Sequence, residues 1–161
     1  MASPFARLVQ DYASAPVLVR RAVADMSSQQ LLARPVPGKW STLEVVCHLL
    51  DSDQAYAHRM KRVIAEDRPL LIGYDETRFT GRLYYHERNL GNALDLMEAT
   101  RNDMASILDQ LPESAWRREG VHNERGLETL EDQVKIEIEH VAHHLRHVSE
   151  KRRALGLPEL A

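Results

Sequence analysis

Histidine is concentrated in one short stretch near the C-terminus, which holds His140, His143, His144 and His147, four of the chain's eight histidines. An α-helix turns about 100° per residue, so His140 and His144 would lie about 40° apart around its axis. His143 and His147 are related in the same way. Two imidazoles one turn apart can bind a single metal ion from the same face. The stretch therefore predicts a metal site, provided that another segment supplies further ligands.

The inner pair of this cluster is His140 and His144, which lie at the edge of the apolar face of the predicted helix. His143 and His147 lie further toward its polar side and are expected to be supporting or surface residues. A third ligand must come from another helix, and the candidate there is His48, at the edge of the apolar face of the predicted second helix. Sequence spacing does not show whether His48 lies at the same level of the fold as the inner pair. From the residues alone, packed and hydrogen-bonded core histidines remain the alternative.

The residue that follows His140 excludes one class of metal enzyme, and the other three histidines are expected at the surface. Val141 follows His140, where the HExxH motif of a zinc protease needs its glutamate, so a protease is excluded. His58 falls on the polar side of its predicted helix and is expected at the surface. His86 and His122 lie in or near predicted loops and are expected to be exposed to solvent.

Two carboxylates could support a metal site. Glu137 precedes His140 by about one turn and projects toward the apolar side, as a carboxylate that orients a ligand or acts as a general base would. Asp53 projects toward the apolar face of its own helix. The alternative for each, which we favour, is an ion pair with an arginine or contact with solvent. Cys47 faces away from the side of His48 that meets the core, so we expect a packed side chain and not a nucleophile.

Apolar residues recur at helical spacing in four long segments, and no segment has the alternation of a convincing strand. This pattern predicts an all-α fold, a four-helix bundle, formed by residues 1–161 as a single domain. The second helix is expected to start at a capping box at Ser41 and the last helix at a weaker one at Thr129. The loop over residues 68–81 is long for a bundle and is a candidate lid or site wall. Residues 117–126 are polar and expected to be irregular.

Composition restricts the functional class. A formal charge of −3 gives no basic surface for nucleic acid, and no apolar run approaches the about 20 residues that span a bilayer. A single cysteine excludes an internal disulfide framework, and the first residues lack the apolar core of a signal peptide. We therefore expect a cytoplasmic protein without a nucleic-acid or membrane partner.

The predicted second helix carries a recognisable motif. The run over residues 37–53 resembles the second-helix signature of the DinB/YfiT-like metalloenzyme superfamily. That signature is a Trp-Ser pair at the helix start, here Trp40 and Ser41. A glutamate follows three residues after the serine, here Glu44, and a histidine four residues beyond it, here His48.

The stretch over residues 139–144 resembles the last-helix motif of the same family. The resemblance implies a bundle of this family's type in which His48, His140 and His144 ligate one divalent metal ion. Three imidazoles with an open coordination position are typical of a catalytic site. Zinc or nickel is the first expectation for the ion, with iron or manganese as alternatives.

The resemblance also implies a function and leaves alternatives open. Its leading implication is a metal-dependent enzyme acting on a small molecule, in the manner of thiol-dependent S-transferases and of an isomerase that uses a low-molecular-weight thiol as cofactor. A metal-dependent hydrolase is the competing enzyme class. A non-catalytic, stress-related metal-binding bundle is a third alternative, and a DNA-binding regulator is disfavoured by the acidic charge. The resemblance further implies a homodimer.

Overall fold

The structure is a computed structural model that describes residues 3–159. Its four long helices are α1 (Ala6–Val23), α3 (Thr42–Ala65), α5 (Leu90–Leu108) and α6 (Leu130–Ala154). Helices α1 and α3 each pack against both α5 and α6, which is the arrangement of a four-helix bundle. The predicted all-α bundle is therefore confirmed. No helix in residues 3–159 combines the length and the apolar character needed to cross a membrane.

Two of the long helices, α3 and α6, begin at the predicted capping residues. The Ser41 hydroxyl accepts the backbone N–H of Glu44, and the Glu44 carboxylate accepts the backbone N–H of Ser41. Thr129 and Asp132 form the same reciprocal pair at the start of α6. These contacts satisfy backbone donors that the first turn of a helix leaves free. They also fix the starts of the two helices that carry the histidines.

A small three-stranded sheet lies outside the bundle, and here the expectation of no strands was wrong. The chain also forms α2 (Ser28–Leu32), β1 (Leu70–Leu71), α4 (Glu76–Arg82), β2 (Glu119–His122) and β3 (Gly126–Thr129). Strand β2 lies in the middle, parallel to β1 and antiparallel to β3. The strands have two to four residues, too few for a period of two to show in the sequence. Gly126, with φ of +86°, closes the hairpin between β2 and β3.

The bundle core is divided into two apolar clusters with polar side chains at their junction. Along α5, Met97 belongs to one cluster and Met104 to the other, and Arg101 lies between them. Along α6, Val141 and Val134 are divided in the same way. At this junction lies a buried polar layer of four side chains, which are Ser52, Asp53, Arg101 and Glu137.

Candidate metal centre

Three histidines from two helices meet at one point in the bundle. His48 extends from the second turn of α3, and His140 and His144 extend from α6. One ring nitrogen from each lies within 4.8 Å of the others, and the Nε2 atoms of His48 and His140 are 3.0 Å apart. The three ring centroids are separated by 4.6–4.9 Å. The sequence left open whether His48 lies at the same height along the bundle as His140 and His144. The structure shows that it does, because α3 packs against α6 with His48 beside this pair.

Burial keeps these imidazoles neutral. The His48 side chain is almost fully buried, and those of His140 and His144 are partly exposed. Burial, and secondarily the neighbouring histidines, lowers the pKa of each of the three to about 3. At neutral pH each ring therefore offers an unprotonated nitrogen, the form in which histidine binds metal. Nδ1 of both His140 and His144 is buried without a hydrogen-bond partner from residues 3–159, so contacts within this part of the chain do not satisfy these rings. The donor set fits a divalent ion such as zinc or nickel.

Trp40 covers the histidine cluster on one side. Its ring centroid is 5.0 Å from that of His48, and its ring stacks parallel to that of His144 at 6.4 Å. The residue was expected only to anchor the start of α3, and the structure adds a contact with two of the three histidines. A large apolar ring at this position limits the access of water to the imidazoles.

The two outer histidines of α6 form a separate pair. Nε2 of His143 lies 3.2 Å from Nε2 of His147, and Nδ1 of His147 lies 3.1 Å from the Glu150 carboxylate. His143 is exposed, and neither residue belongs to the three-histidine cluster. The division of the four histidines into an inner and an outer pair agrees with the sequence prediction.

The two candidate carboxylates are both paired with Arg101 of α5. Its guanidinium donates to both oxygens of Asp53 at 2.6–2.9 Å and to Oε2 of Glu137 at 3.3 Å. All three side chains are fully buried. The favoured alternative, an arginine ion pair, is therefore what the structure shows for each carboxylate. The signal for Arg101 was present in the sequence, because it interrupts the apolar stripe between Met97 and Met104.

Glu137 nevertheless lies next to the histidine cluster. Its Oε1 accepts a hydrogen bond from Ser52 Oγ at 3.0 Å and lies 3.8 Å from Nδ1 of His140. Burial, with the nearby Asp53, raises the pKa of Glu137, while Arg101 opposes this. A small shift of the His140 ring would allow its Nδ1–H to donate to this carboxylate. Carboxylates commonly orient metal-binding histidines in this way.

A pocket of about 220 Å³ lies beside the cluster, with His140 in its wall. Its other walls come from α3, from the segment over residues 68–81 and from the β2–β3 hairpin. Residues 68–81, predicted as a loop and candidate site wall, instead contain β1 and most of α4, and they contribute Gly73, Tyr74 and Glu76 to the pocket. His122 also lines the pocket and is only 2% exposed, so the expectation that it faces solvent was wrong. Its position on β2, which pairs on both sides, buries it.

The other predicted peripheral residues lie as follows. His58 is exposed, as expected. His86 is also exposed, and its Nε2 lies 3.0 Å from the Glu44 carboxylate. Cys47 is fully buried, and burial raises the pKa of its thiol to about 11. A protonated, buried thiol agrees with the packing role and excludes this side chain as a nucleophile at neutral pH.

The lowered pKa values predict that the metal-free protein loses stability as the pH falls. In the unfolded chain the three histidines take up protons near pH 6.5, whereas in the folded chain they do so near pH 3. Between these values the unfolded state binds more protons, so a lower pH favours unfolding. The melting temperature of chelator-treated protein should fall from pH 7 to pH 5. The melting temperature should fall less in His144→Leu than in the wild type, and in His58→Ala it should fall as much as in the wild type. An equal dependence in His144→Leu and the wild type would contradict the assignment.

A helical bundle in which three imidazoles converge beside a pocket has the arrangement of the metal-binding helical bundles, a recognised class of protein. Residues 12–148 match the family model of the DinB superfamily, and the chain belongs to that superfamily. The family resemblance indicated by the two histidine motifs is therefore confirmed.

Named relatives agree with this assignment. The chain is 30% identical over 134 residues to a protein of Oceanobacillus iheyensis provisionally named a metal-dependent hydrolase, covering 83% of this chain and 77% of the relative. The structure of YfiT from Bacillus subtilis, provisionally described as a metal-dependent hydrolase with an unusual four-helix bundle topology, superposes with a TM-score of 0.89. It is 25% identical, over 94% of this chain and 87% of YfiT. The mycothiol-dependent maleylpyruvate isomerase shares the fold with a TM-score of 0.71 at 14% identity, over 99% of this chain and 62% of that one.

Proposed function

We propose that this protein is a divalent-metal-dependent enzyme acting on a small molecule, with His48, His140 and His144 as the metal ligands. The observation that carries the proposal is the convergence of three neutral imidazoles within 4.8 Å, next to a pocket. Three protein ligands leave a coordination position for a substrate, whereas a purely structural zinc site is usually closed by four. The names of the curated relatives support metal dependence.

The reaction that we propose is the transfer of a chemical group to or from the sulfur atom of a low-molecular-weight thiol. A divalent ion supplies Lewis acidity, which lowers the pKa of a thiol or a water molecule that binds to it. A thiol titrates near pH 8–9, roughly, and so needs little assistance from a general base near neutral pH. This matters because Glu137 and Asp53 are both paired with Arg101 and neither lines the pocket. Glu137 is then a positioning residue for His140, and Trp40 shields the imidazoles from water.

Hydrolysis is the second candidate, and one observation favours it. Glu76 lines the pocket, and burial with the neighbouring Asp75 and Glu124 raises its pKa. A carboxylate with a raised pKa can exchange protons near neutral pH, as a hydrolase requires of its acid or base. The names given to the relatives point to the same class.

Zinc or nickel as the ion, a single domain, a homodimeric assembly and a cytoplasmic location also form part of the proposal. The ion is supported by the imidazole donor set. The domain organisation follows from the chain length and the helical pattern, the assembly from the family resemblance, and the location from the composition.

A cobalt-substituted protein distinguishes the two reactions. Titration with 2-mercaptoethanol should produce an intense sulfur-to-cobalt absorption band in the wild type and in the control His143→Ala, because a thiol can bind at the open position. His144→Ala should give no band. Cobalt binding without a band in the wild type would contradict the thiol reaction. Metal-dependent hydrolysis of p-nitrophenyl acetate, abolished in His144→Ala, would then support the hydrolase.

A further inference from the structure

Arg59 is a buried arginine that forms no ion pair with any carboxylate of residues 3–159. The residue lies on α3, lines the pocket beside His140 and is 5% exposed. Its Nη2 donates to the carbonyl oxygen of Ile72 at 2.5 Å, and its guanidinium lies 4.8 Å from the ring centroid of Tyr56. Within residues 3–159, no carboxylate lies within 4.0 Å of it. A guanidinium stays protonated in proteins, so this charge is permanent.

The other arginines of the interior and of the pocket show that the arrangement of Arg59 is unusual. Arg101 and Arg152 are as deeply buried, and each donates to a carboxylate at 2.6 Å. Arg125, which also lines the pocket, is paired with Glu128. A buried charge without a counter-ion is costly, which is why buried arginines are normally paired. Arg59 therefore has the properties of a residue whose partner is an anion from outside the chain.

His122 adds an unsatisfied donor to the same pocket. Its Nδ1 accepts the backbone N–H of Glu124 at 3.2 Å, so the proton of the neutral ring lies on Nε2. This Nε2 is buried and has no hydrogen-bond partner among the residues that the structure describes. Burial, and secondarily the charge of Arg125, lowers the pKa of His122, which keeps the ring in this neutral form. Buried polar groups without partners are uncommon in proteins and call for a ligand or a water molecule.

We propose that the pocket binds a carboxylate group of the substrate, with Arg59 as its counter-charge and His122 Nε2–H as a hydrogen-bond donor. This inference rests on the proposed function, because it places the reacting end of the same substrate toward His140. The pocket of about 220 Å³ limits the substrate to a compact molecule. A monoanion neutralises the one unpaired guanidinium. Glu76 and Glu124 also line the pocket, so a phosphate dianion would meet more repulsion there than a monoanion does.

Thiols with and without a carboxylate test the proposal on the cobalt-substituted protein. In the wild type, 3-mercaptopropionate should bind at least about 10-fold more tightly than the neutral 3-mercaptopropan-1-ol, as expected for a hydrogen-bonded charged pair. The sulfur-to-cobalt band measures both affinities. The ratio of affinities should approach one in Arg59→Met. It should fall in His122→Asn, whose side-chain oxygen can still accept the Glu124 N–H.

Arg62 provides a matched control one turn further along α3. Like Arg59, it donates to a carbonyl oxygen near β1, that of Leu70, but it is paired with Glu66 and does not line the pocket. Arg62→Met should therefore keep the wild-type ratio. Equal binding of the two thiols to the wild type, or an undiminished ratio in folded Arg59→Met, would overturn the proposal. If Arg59→Met does not fold, an undiminished ratio in His122→Asn would do so.

A second readout separates failure of this proposal from failure of the proposed function. Calorimetric titration of metal-free protein with propionate reports the carboxylate site without a metal or a thiol. Binding that is lost in Arg59→Met and kept in Arg62→Met supports the site even if cobalt gives no band. A cobalt band that shows no carboxylate preference would support the proposed function while overturning the carboxylate site.

Discussion

Replacement of Arg101 with methionine is expected to lower the free energy of unfolding by about 3–5 kcal/mol, the usual cost of breaking a buried ion pair by removing one partner. Methionine fills much of the same volume, so the loss comes mainly from charge. Asp53 and Glu137 would remain fully buried without their cation. The carbonyl oxygen of Tyr12 would also lose its donor. Urea unfolding of metal-free protein, followed by circular dichroism, measures the change.

Two further variants show whether charge is the cause. Asp53→Asn and Glu137→Gln, added together to Arg101→Met, should restore part of the loss, because neutral amides cost less to bury than unpaired carboxylates. Arg20→Met is the surface control, since Arg20 pairs with the exposed carboxylates of Asp95 and Glu98. It should change stability by less than about 1 kcal/mol. A loss below about 1 kcal/mol for Arg101→Met would contradict the role given to the polar layer.

His144→Ala should weaken the binding of zinc or nickel by at least about 100-fold. Loss of a residue that merely orients a ligand typically costs about 10–100-fold, and His144 is proposed as a ligand itself. Its removal leaves His48 and His140, with Nε2 atoms 3.0 Å apart, as a two-imidazole site. Competition with a chromophoric chelator at pH 7.5 measures the affinity of each variant.

His143→Ala is the matched control for this prediction. It lies next to His144 on α6, contacts its ring edge-on at 5.2 Å and lies outside the three-histidine cluster. Metal affinity in His143→Ala should stay within about threefold of the wild type, well below the cost of losing even an orienting residue. Equal losses in His143→Ala and His144→Ala would indicate that the ion binds the outer pair instead.

Much of the candidate site could be predicted because helical periodicity fixes directions around a helix. The 40° separation of His140 and His144 follows from their spacing alone, about 100° per residue. The family motifs then associated His48 with them, from almost 100 residues upstream. The level of His48 could not be derived in this way, because it depends on how far α3 is displaced along α6.

The pocket was much less predictable. Strands β1 and β2 have two and four residues, so their pairing depends on contacts distant in sequence that a short polar stretch does not indicate. This pairing buries His122 and forms one wall of the pocket. Arg59 was also missed, because an arginine on an otherwise ordinary helix is exposed by default. Only the three-dimensional structure shows that, in the described part of the chain, no carboxylate forms an ion pair with it.

X-ray absorption spectroscopy of the zinc-loaded protein tests the central claim most directly, because it reports the atoms that bind the ion. We expect three imidazole nitrogens at about 2.0–2.1 Å together with a light-atom ligand from solvent. His48→Ala should lose one imidazole from the spectrum, and His143→Ala should leave it unchanged. A first shell with fewer than three imidazoles in the wild type, or an identical spectrum in His48→Ala, would contradict the three-histidine centre.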